Sequence, residues 1–182
     1  MDKYLEEAEL LMKKIIWILL FAVNCFSATI TQYVNTDVGE GGNGSVGTPY
    51  NHLADWEAQN LNLTDNGGDI MYVVCSGTTP DTTALDINGS TTSTTNYIEI
   101  AGNFTGAKLD TTKYTIHRDN ADPIYIQINN VRIHNIQIEC HRTTTGAASG
   151  ISTDYQTTGN IWIYNCFIRV IGTQNDGHGV RF

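Results

Sequence analysis

The chain has 182 residues and is acidic, with 19 Asp and Glu against 10 Lys and Arg and a formal net charge of −9. Nucleic acids are bound by basic surfaces, and no basic cluster offsets this balance, so we expect no nucleic-acid partner. Residues 29–182 suffice for one domain with a sizeable core.

Residues 1–28 have the pattern of a secretory signal peptide. Two lysines precede an apolar run at 15–23, and small residues follow it, so we expect cleavage after Ser27 or Ala28. The run is far shorter than the roughly 20 residues of a membrane-spanning helix. The short run therefore predicts no membrane span. The signal-peptide pattern predicts an exported protein, either secreted or at the cell surface. The acidic segment before it makes Met12 an alternative start, and an exposed amphipathic helix ahead of a buried one is the other interpretation.

A glycine-rich segment and a short helix are predicted next. Residues 29–47 are expected to form a flexible lead-in. The segment 48–58 predicts a capping helix, with Thr48 as its N-cap and Pro49 at its first position. On this helix two apolar residues share one face, Leu53 and Trp56. Since both would be exposed on an isolated helix, we expect the helix to cover the first apolar strand.

An internal repeat of 30 residues determines the predicted fold, because residues 130–138 superimpose on 160–168. In each copy, every second residue is apolar, and a central asparagine interrupts this alternation. This pattern predicts two short strands joined at a bend, which Asn tolerates. The matching positions are Ile133 with Ile163, Ile138 with Ile168, and Asn135 with Asn165. The two asparagines are expected to hydrogen-bond each other through their amides.

Other strand-like segments extend this pattern. They are 69–75, where the sheet is predicted to begin, 97–100, 111–117, 124–128, 150–153 and 179–182. Residues 102–113 are expected to be a loop insertion, and the Thr/Ser/Asn-rich stretches are expected to be loops between strands. One repeat cannot bury its own apolar face, so successive repeats must pack together. The last segment leaves an open edge, which predicts either that the chain is a fragment or that an oligomer covers this edge.

These features resemble the right-handed parallel β-helix superfamily, which has the pectate-lyase-like fold. The resemblance rests on the strand-Asn-strand units, the glycines at 150 and 179, and the front segment with Tyr50, Leu53 and Trp56; it covers residues 48–182. It implies an all-β fold, an incomplete right-handed parallel β-helix with a short N-terminal capping helix. The superfamily includes polysaccharide lyases, hydrolases and esterases, and also adhesins and phage tailspikes, so the resemblance leaves the activity open.

His178 is the candidate catalytic residue, since Gly177-His178-Gly179 resembles a motif of the pectin-hydrolysing members. Those members also carry paired aspartates, which are missing here, and inverting hydrolysis requires two carboxyl groups. The repeat explains Gly179 as the start of a strand. A lyase would need a basic residue to abstract a proton, and the Arg-x-Pro-x-x-Arg pattern of pectate lyases is absent. Whether the chain is an enzyme therefore stays open.

No metal or cofactor is predicted. The three cysteines beyond the leader lie in strand-like apolar runs and lack metal-ligand spacing, which predicts buried thiols: Cys75, Cys140 and Cys166. Asp119 and Asp122, beside His117 and Arg118, could hold Ca²⁺ through their carboxylates. A solvated turn before Pro123 explains them better.

The best candidate binding site follows from the strand alternation. If Ile133 and Ile163 face inward, four residues of the two repeats face outward: Arg132, His134, Trp162 and Tyr164. Arg132 should then stack on Trp162 and His134 on Tyr164, and Glu139 should pair with Arg169. Exposed aromatic rings on a flat sheet suit sugar rings. The alternative is that these contacts only stabilise neighbouring repeats.

The sequence thus predicts a secreted or surface-displayed module that binds a glycan or cell-surface polysaccharide without catalysis. The alternative is the N-terminal part of a polysaccharide lyase or glycoside hydrolase whose catalytic repeats lie beyond Phe182. Paired carboxylates or a second arginine motif in such repeats would favour the enzyme.

Overall fold

The computed structural model describes residues 12–14, 28–63, 69–144, 146–154, 159–172 and 177–181. The predicted leader lies outside these ranges, apart from residues 12–14, which are helical, and Ala28. The described chain also forms one short helix, α1 (Leu53–Glu57), and twelve strands. The strands are β1 (Ala28–Asn35), β2 (Asp69–Ser76), β3 (Leu85–Ile87), β4 (Ile98–Ala101), β5 (Thr115–Asp119), β6 (Ile124–Ile126), β7 (Val131–His134), β8 (Gln137–Arg142), β9 (Ala148–Thr153), β10 (Ile161–Tyr164), β11 (Phe167–Gly172) and β12 (Gly177–Arg181).

All of these strands pair in parallel, in three sheets. The first sheet has the order β1-β2-β4-β7-β10, the second β11-β8-β5 and the third β12-β9-β6-β3. From β4 onward the chain visits the first, second and third sheets in turn. We call each such set of three strands a circuit: β4–β6, β7–β9 and β10–β12. The prediction of an all-β chain is confirmed.

The register between circuits confirms the 30-residue repeat. Ile133 pairs with Ile163 in the first sheet, and Ile138 pairs with Ile168 in the second. Paired residues point to the same side of a sheet, so the alternating apolar positions form continuous inward columns. The inward side chains of β4 and β7 are fully buried. Those of β10 are half-buried, because no described strand pairs with its other edge.

Asparagine forms the bend between the first and second sheets. Asn135 and Asn165 have φ angles of 55° and 52°, in the left-handed region that Asn adopts more readily than most residues. The predicted bend is confirmed, but the predicted amide contact is wrong. In the described part of the chain, neither asparagine side chain bonds the other. The Asn135 carbonyl instead accepts a hydrogen bond from the Phe104 N–H at 2.9 Å, so backbone groups hold this corner.

The predicted flexible lead-in, residues 29–47, contains a strand. β1 pairs with β2 along its whole length, from Ala28 opposite Asp69 to Asn35 opposite Ser76. The first sheet therefore begins at Ala28, and the expectation that it begins at Asp69 is wrong. The physical reason is that β2 would otherwise have an unpaired edge, and the extended segment before the glycines pairs with it.

Helix α1 begins later than predicted. Its N-cap is His52 instead of Thr48, whose hydroxyl donates a hydrogen bond to the Asn43 side-chain oxygen at 2.6 Å. Leu53 and Trp56 are each only 1% exposed, which confirms the predicted buried face. The helix packs against β3, and both side chains belong to the main hydrophobic core.

The buried carboxylate of Asp81 fixes α1 in this position. It accepts hydrogen bonds from the backbone N–H of Leu53 and from the Tyr114 hydroxyl, both at 2.9 Å, and from the Thr83 N–H at 3.1 Å. It also lies 2.9 Å from His52 Nδ1. The first N–H groups of a helix have no partner within the helix. Asp81, from another part of the chain, therefore provides the hydrogen-bond acceptor that the N-cap side chain does not provide.

Replacement of Asp81 by alanine is expected to destabilise the fold by about 3–5 kcal/mol, since buried donors would lose their charged acceptor. Urea denaturation followed by circular dichroism measures this change. The matched control is Asp86→Ala, which removes an exposed carboxylate from β3 and should alter stability by less than about 0.5 kcal/mol. Equal effects of the two substitutions would show that Asp81 does not anchor the helix.

Asp37, which follows β1, predicts a pH dependence of stability. Its carboxylate accepts hydrogen bonds from the backbone N–H groups of Thr79 and Thr78, each at 2.9 Å, and these lower its pKa. A carboxylate whose pKa is lower in the folded state than in the unfolded state stabilises the fold at pH values above its unfolded-state pKa. This stabilisation is lost as the pH falls through the folded-state pKa. Asp37→Asn should therefore lower the melting temperature near pH 7, by a difference that disappears near pH 2. Melts in which the difference is the same at both pH values would contradict this assignment.

Candidate ligand-binding face

The four predicted binding residues lie together on the outer side of the first sheet. Trp162 pairs with Arg132 and Tyr164 pairs with His134. Trp162 is 52% exposed and Tyr164 41% exposed, whereas Ile133 on the inner side is completely buried. The predicted orientation of these residues is therefore confirmed.

Arg132 lies between two aromatic rings. Its guanidinium carbon is 3.6 Å from the centroid of the Tyr97 ring and 4.7 Å from that of Trp162. These distances are typical of cation–π contacts. The sequence pattern predicted the contact with Trp162 but missed Tyr97, which directly precedes β4. The signal was present, since the pairing of Ile98 with Val131 places Tyr97 beside the start of β7.

His134 and Tyr164 form the second predicted contact. Their ring centroids are 4.7 Å apart and their planes differ by 7°, so the rings are stacked. Glu99, which the sequence reasoning also missed, lies 3.0 Å from His134 Nε2 and 3.8 Å from Arg132 Nη1. Desolvation of the phenol, followed by the negative charge of Glu99, raises the pKa of Tyr164. Its hydroxyl is therefore a neutral hydrogen-bond donor near pH 7.

We call this surface the aromatic strip and define it by six residues: Tyr97, Glu99, Arg132, His134, Trp162 and Tyr164. Neighbouring strands are about 4.8 Å apart, so the rings form a row along the face of the sheet. Ring faces can contact apolar C–H groups, while charged and hydroxyl groups can bond polar ligand atoms. The strip can therefore bind a molecule that combines apolar faces with hydroxyl or carboxylate groups.

The structure places His178 away from the strip. It lies in β12, paired with Ser149, and its side chain is exposed. Within the described ranges no carboxylate bonds or pairs with His178. Asp176, which precedes it in the motif, lies outside those ranges. Val180 pairs with Ile151, which confirms this segment as a strand, but β12 begins at Gly177 and not at the predicted Gly179.

The two aspartates considered as calcium ligands do not share a site. Asp122 accepts a hydrogen bond from the Ser149 N–H at 3.0 Å and lies 3.4 Å from Arg181. Asp119 lies beside His117, at 3.3 Å, on the outer side of the second sheet. The predicted pair of Glu139 and Arg169 is confirmed at 3.1 Å.

A polar cleft of about 590 Å³ lies on the third sheet, and the sequence reasoning did not predict it. Its outward column runs from Asp86 through Tyr125 and Ser152 to Arg181. Asp122 and Arg142 also line it. Both oxygens of Asp122 have partners, and Arg142 donates to the Asn120 carbonyl at 3.1 Å. These groups thus already stabilise loops between strands.

The cysteines carry no disulfide among the described residues. Cys75 and Cys140 are buried, as predicted, whereas Cys166 is only partly buried because it lies in the last circuit. Burial raises the pKa of all three thiols. Since the thiolate is the reactive form, these thiols are poor nucleophiles near neutral pH.

A scan against protein-family models, a search of curated proteins and a search of solved structures each found no match. The resemblance to the parallel β-helix superfamily therefore stays a prediction. Within the part of the chain that the structure describes, no helix has the length and apolar character needed to cross a membrane.

A double-mutant cycle of Arg132→Ala and Trp162→Ala measures how much the strip stabilises the fold. We expect a coupling energy of about 0.5–1 kcal/mol, because the contact is partly exposed. The energies come from urea denaturation of both single variants and the double variant. A coupling above about 2 kcal/mol, the strength of a desolvated cation–π contact, would instead show that the strip exists mainly to join neighbouring circuits.

Proposed function

We propose that the chain is an exported right-handed parallel β-helix of the pectate-lyase-like superfamily, and that it binds a glycan on the aromatic strip without catalysis. The fold proposal is supported by the order of strands, since each circuit adds one parallel strand to each of three sheets. Connections between parallel strands of one sheet are right-handed in nearly all proteins, which favours this hand. The predicted leader favours secretion or display at the cell surface.

The exposure of Trp162 and Tyr164 is the observation that carries the glycan proposal. Large aromatic side chains are normally buried on most of their surface. Here both remain about half exposed although each already contacts an aromatic or charged neighbour. The edge of β10 that no described strand pairs with contributes to this exposure. The ring surface that Arg132 and His134 leave uncovered can contact a further partner.

The polar groups beside the rings indicate the chemistry of that partner. Arg132 can donate to a carboxylate or to hydroxyl oxygens, and Glu99 can accept hydrogen bonds from hydroxyl groups. Sugars present apolar C–H faces together with such groups. A polysaccharide that runs across β7 and β10 would place one sugar ring on Trp162 and polar groups against Arg132, which is why a glycan fits better than a purely apolar ligand.

Catalysis in this part of the chain has weaker support. Among the six residues of the strip, Glu99 is the one carboxylate, and it already contacts His134 and Arg132. The cleft on the third sheet is the observation that favours the alternative, a polysaccharide lyase or hydrolase, because it brings carboxylates and arginines together. The association of several chains through the open edge of β10, β11 and β12 also stays a prediction.

Binding to a panel of immobilised polysaccharides tests the proposal. Trp162→Ala and Tyr164→Ala are each expected to weaken retention about 10-fold or more, roughly 1.4 kcal/mol, since each removes a ring face from the ligand. Melting temperatures should change little, because both side chains are exposed.

The matched control is Tyr125→Ala, which removes a partly exposed tyrosine from the cleft on the third sheet. It should leave retention unchanged. Loss of retention in the Tyr125 variant together with full retention in the two strip variants would place the glycan in the cleft. Release of reducing ends or unsaturated uronates from any polysaccharide in the panel would instead favour the enzyme.

A further inference from the structure

The outer side of the second sheet holds a cluster of two imidazoles and two carboxylates. The pairing of β5 with β8 places His117 beside Glu139, and Asp119 beside His141. All four occupy alternate positions, so their side chains project from the same face. Glu139 is nine-tenths buried, the two histidines are about a quarter to a third exposed, and Asp119 is open to solvent.

We propose that this cluster binds Zn²⁺, or another divalent transition metal with a similar preference for nitrogen, through His117, Asp119 and His141. This inference does not depend on glycan binding, since the cluster lies on a different sheet from the aromatic strip. Three candidate ligand atoms, His117 Nε2, His141 Nδ1 and an Asp119 oxygen, converge on one point of the surface.

The spacing of these atoms fits a metal ion. The ligand atoms of the three residues lie within 4.8 Å of one another. Asp119 Oδ1 is 3.3 Å from His117 Nε2 and 4.0 Å from His141 Nδ1. In a tetrahedral zinc site with bonds of about 2.0–2.1 Å, ligand atoms lie about 3.3 Å apart. The first pair already has this separation. Rotation of the exposed Asp119 side chain can bring the second pair to it, and rotation of the partly exposed rings can close the pair of histidine nitrogens, which lies within 4.8 Å.

Glu139 occupies the position of an outer partner for both rings. The nitrogens that face away from the proposed metal are His117 Nδ1, 3.7 Å from Glu139 Oε2, and His141 Nε2, 3.8 Å from Glu139 Oε1. Histidines that bind a metal usually donate their other N–H to a carboxylate, which fixes the tautomer and the ring orientation. Arg169, 3.1 Å from Glu139, holds that carboxylate in place.

One buried atom of the cluster, His141 Nε2, lacks a hydrogen-bond partner. It faces Glu139 Oε1 at 3.8 Å, the oxygen that also lies 3.1 Å from Arg169 Nε. Buried polar atoms are normally satisfied. A metal on His141 Nδ1 would place the ring proton on Nε2, directed at Glu139, and a shift of the partly exposed ring by less than about 1 Å would bring the two atoms within hydrogen-bond distance. The unpaired ring nitrogen therefore agrees with a ligand on the opposite nitrogen of His141.

The donor set selects the class of metal. Imidazole nitrogen suits Zn²⁺, Cu²⁺ and Ni²⁺, whereas Ca²⁺ and Mg²⁺ prefer oxygen ligands. Three protein ligands leave one coordination position of a tetrahedral ion for water or for an oxygen of a bound molecule. The sequence predicted no metal site because Asp119 was considered with Asp122 and not with His141, its partner on the neighbouring strand β8.

Titration of the chelator-treated full-length protein with zinc chloride alone tests the proposal by calorimetry. We expect one Zn²⁺ per chain and no competition from an equal concentration of Ca²⁺. His117→Gln and His141→Gln should each weaken zinc binding more than about 100-fold, and Glu139→Gln about 10–100-fold. The matched control, His178→Gln, replaces an exposed histidine on the third sheet and should bind as the native chain does.

Nitrogen NMR of the native protein provides a second measurement that requires no variant. Zinc should shift the ring signals of two of the five histidines, and the Trp162→Ala variant should show the same shifts. The proposal is overturned if the native chain binds no stoichiometric zinc, or if the double variant His117→Gln/His141→Gln binds zinc as the native chain does. Loss of binding in His178→Gln would place the metal elsewhere.

Discussion

Parallel pairing between successive circuits is the constraint on which the rest of the structure depends. From β4 onward, each strand pairs with the strand three elements later in the chain, at a register that keeps apolar side chains on the inner side. A shift of one residue would move every inward isoleucine to the solvent. The inward columns therefore fix the register, and the register decides which outward residues become neighbours.

The outward columns follow from this register, and the two proposed sites lie on them. On the first sheet the column contains Glu99, Arg132 and Trp162, which yields an aromatic face with embedded charges. On the second sheet, His117 and Glu139 lie beside each other, with Asp119 and His141 next to them. Neither arrangement requires a specialised loop. Each is a set of side chains that flat parallel strands hold about 4.8 Å apart.

The sequence predicted best where the repeat is regular. Trp162 on Arg132, Tyr164 on His134 and Arg169 on Glu139 all followed from the constant spacing between two circuits without insertions. The strip residues Tyr97 and Glu99 were missed although residues 97–100 match 131–133 at about 33 residues, because the outward positions were derived from the two regular repeats alone. The partners on the second sheet were missed for a related reason, since β5 pairs with β8 at a spacing well below that of the regular repeat.

The front of the domain was predicted least well, because long-range contacts determine it. The short strand β3 lies between two Thr-rich stretches that resemble loops, and it is stabilised by pairing with β6. β1 forms because β2 has an edge to pair with. Helix α1 begins at Leu53 since Asp81, which lies much later in the chain, accepts its first N–H. No local pattern at Thr48 or Pro49 contains that information.

The most direct test of the central claim, that the outward column of the first sheet is a glycan-binding face, is a crystal structure with the oligosaccharide selected from the polysaccharide panel. We expect a sugar ring in van der Waals contact with the Trp162 ring and a polar group of the ligand bonded to Arg132. A ligand bound in the cleft on the third sheet, with Trp162 still exposed, would contradict the account.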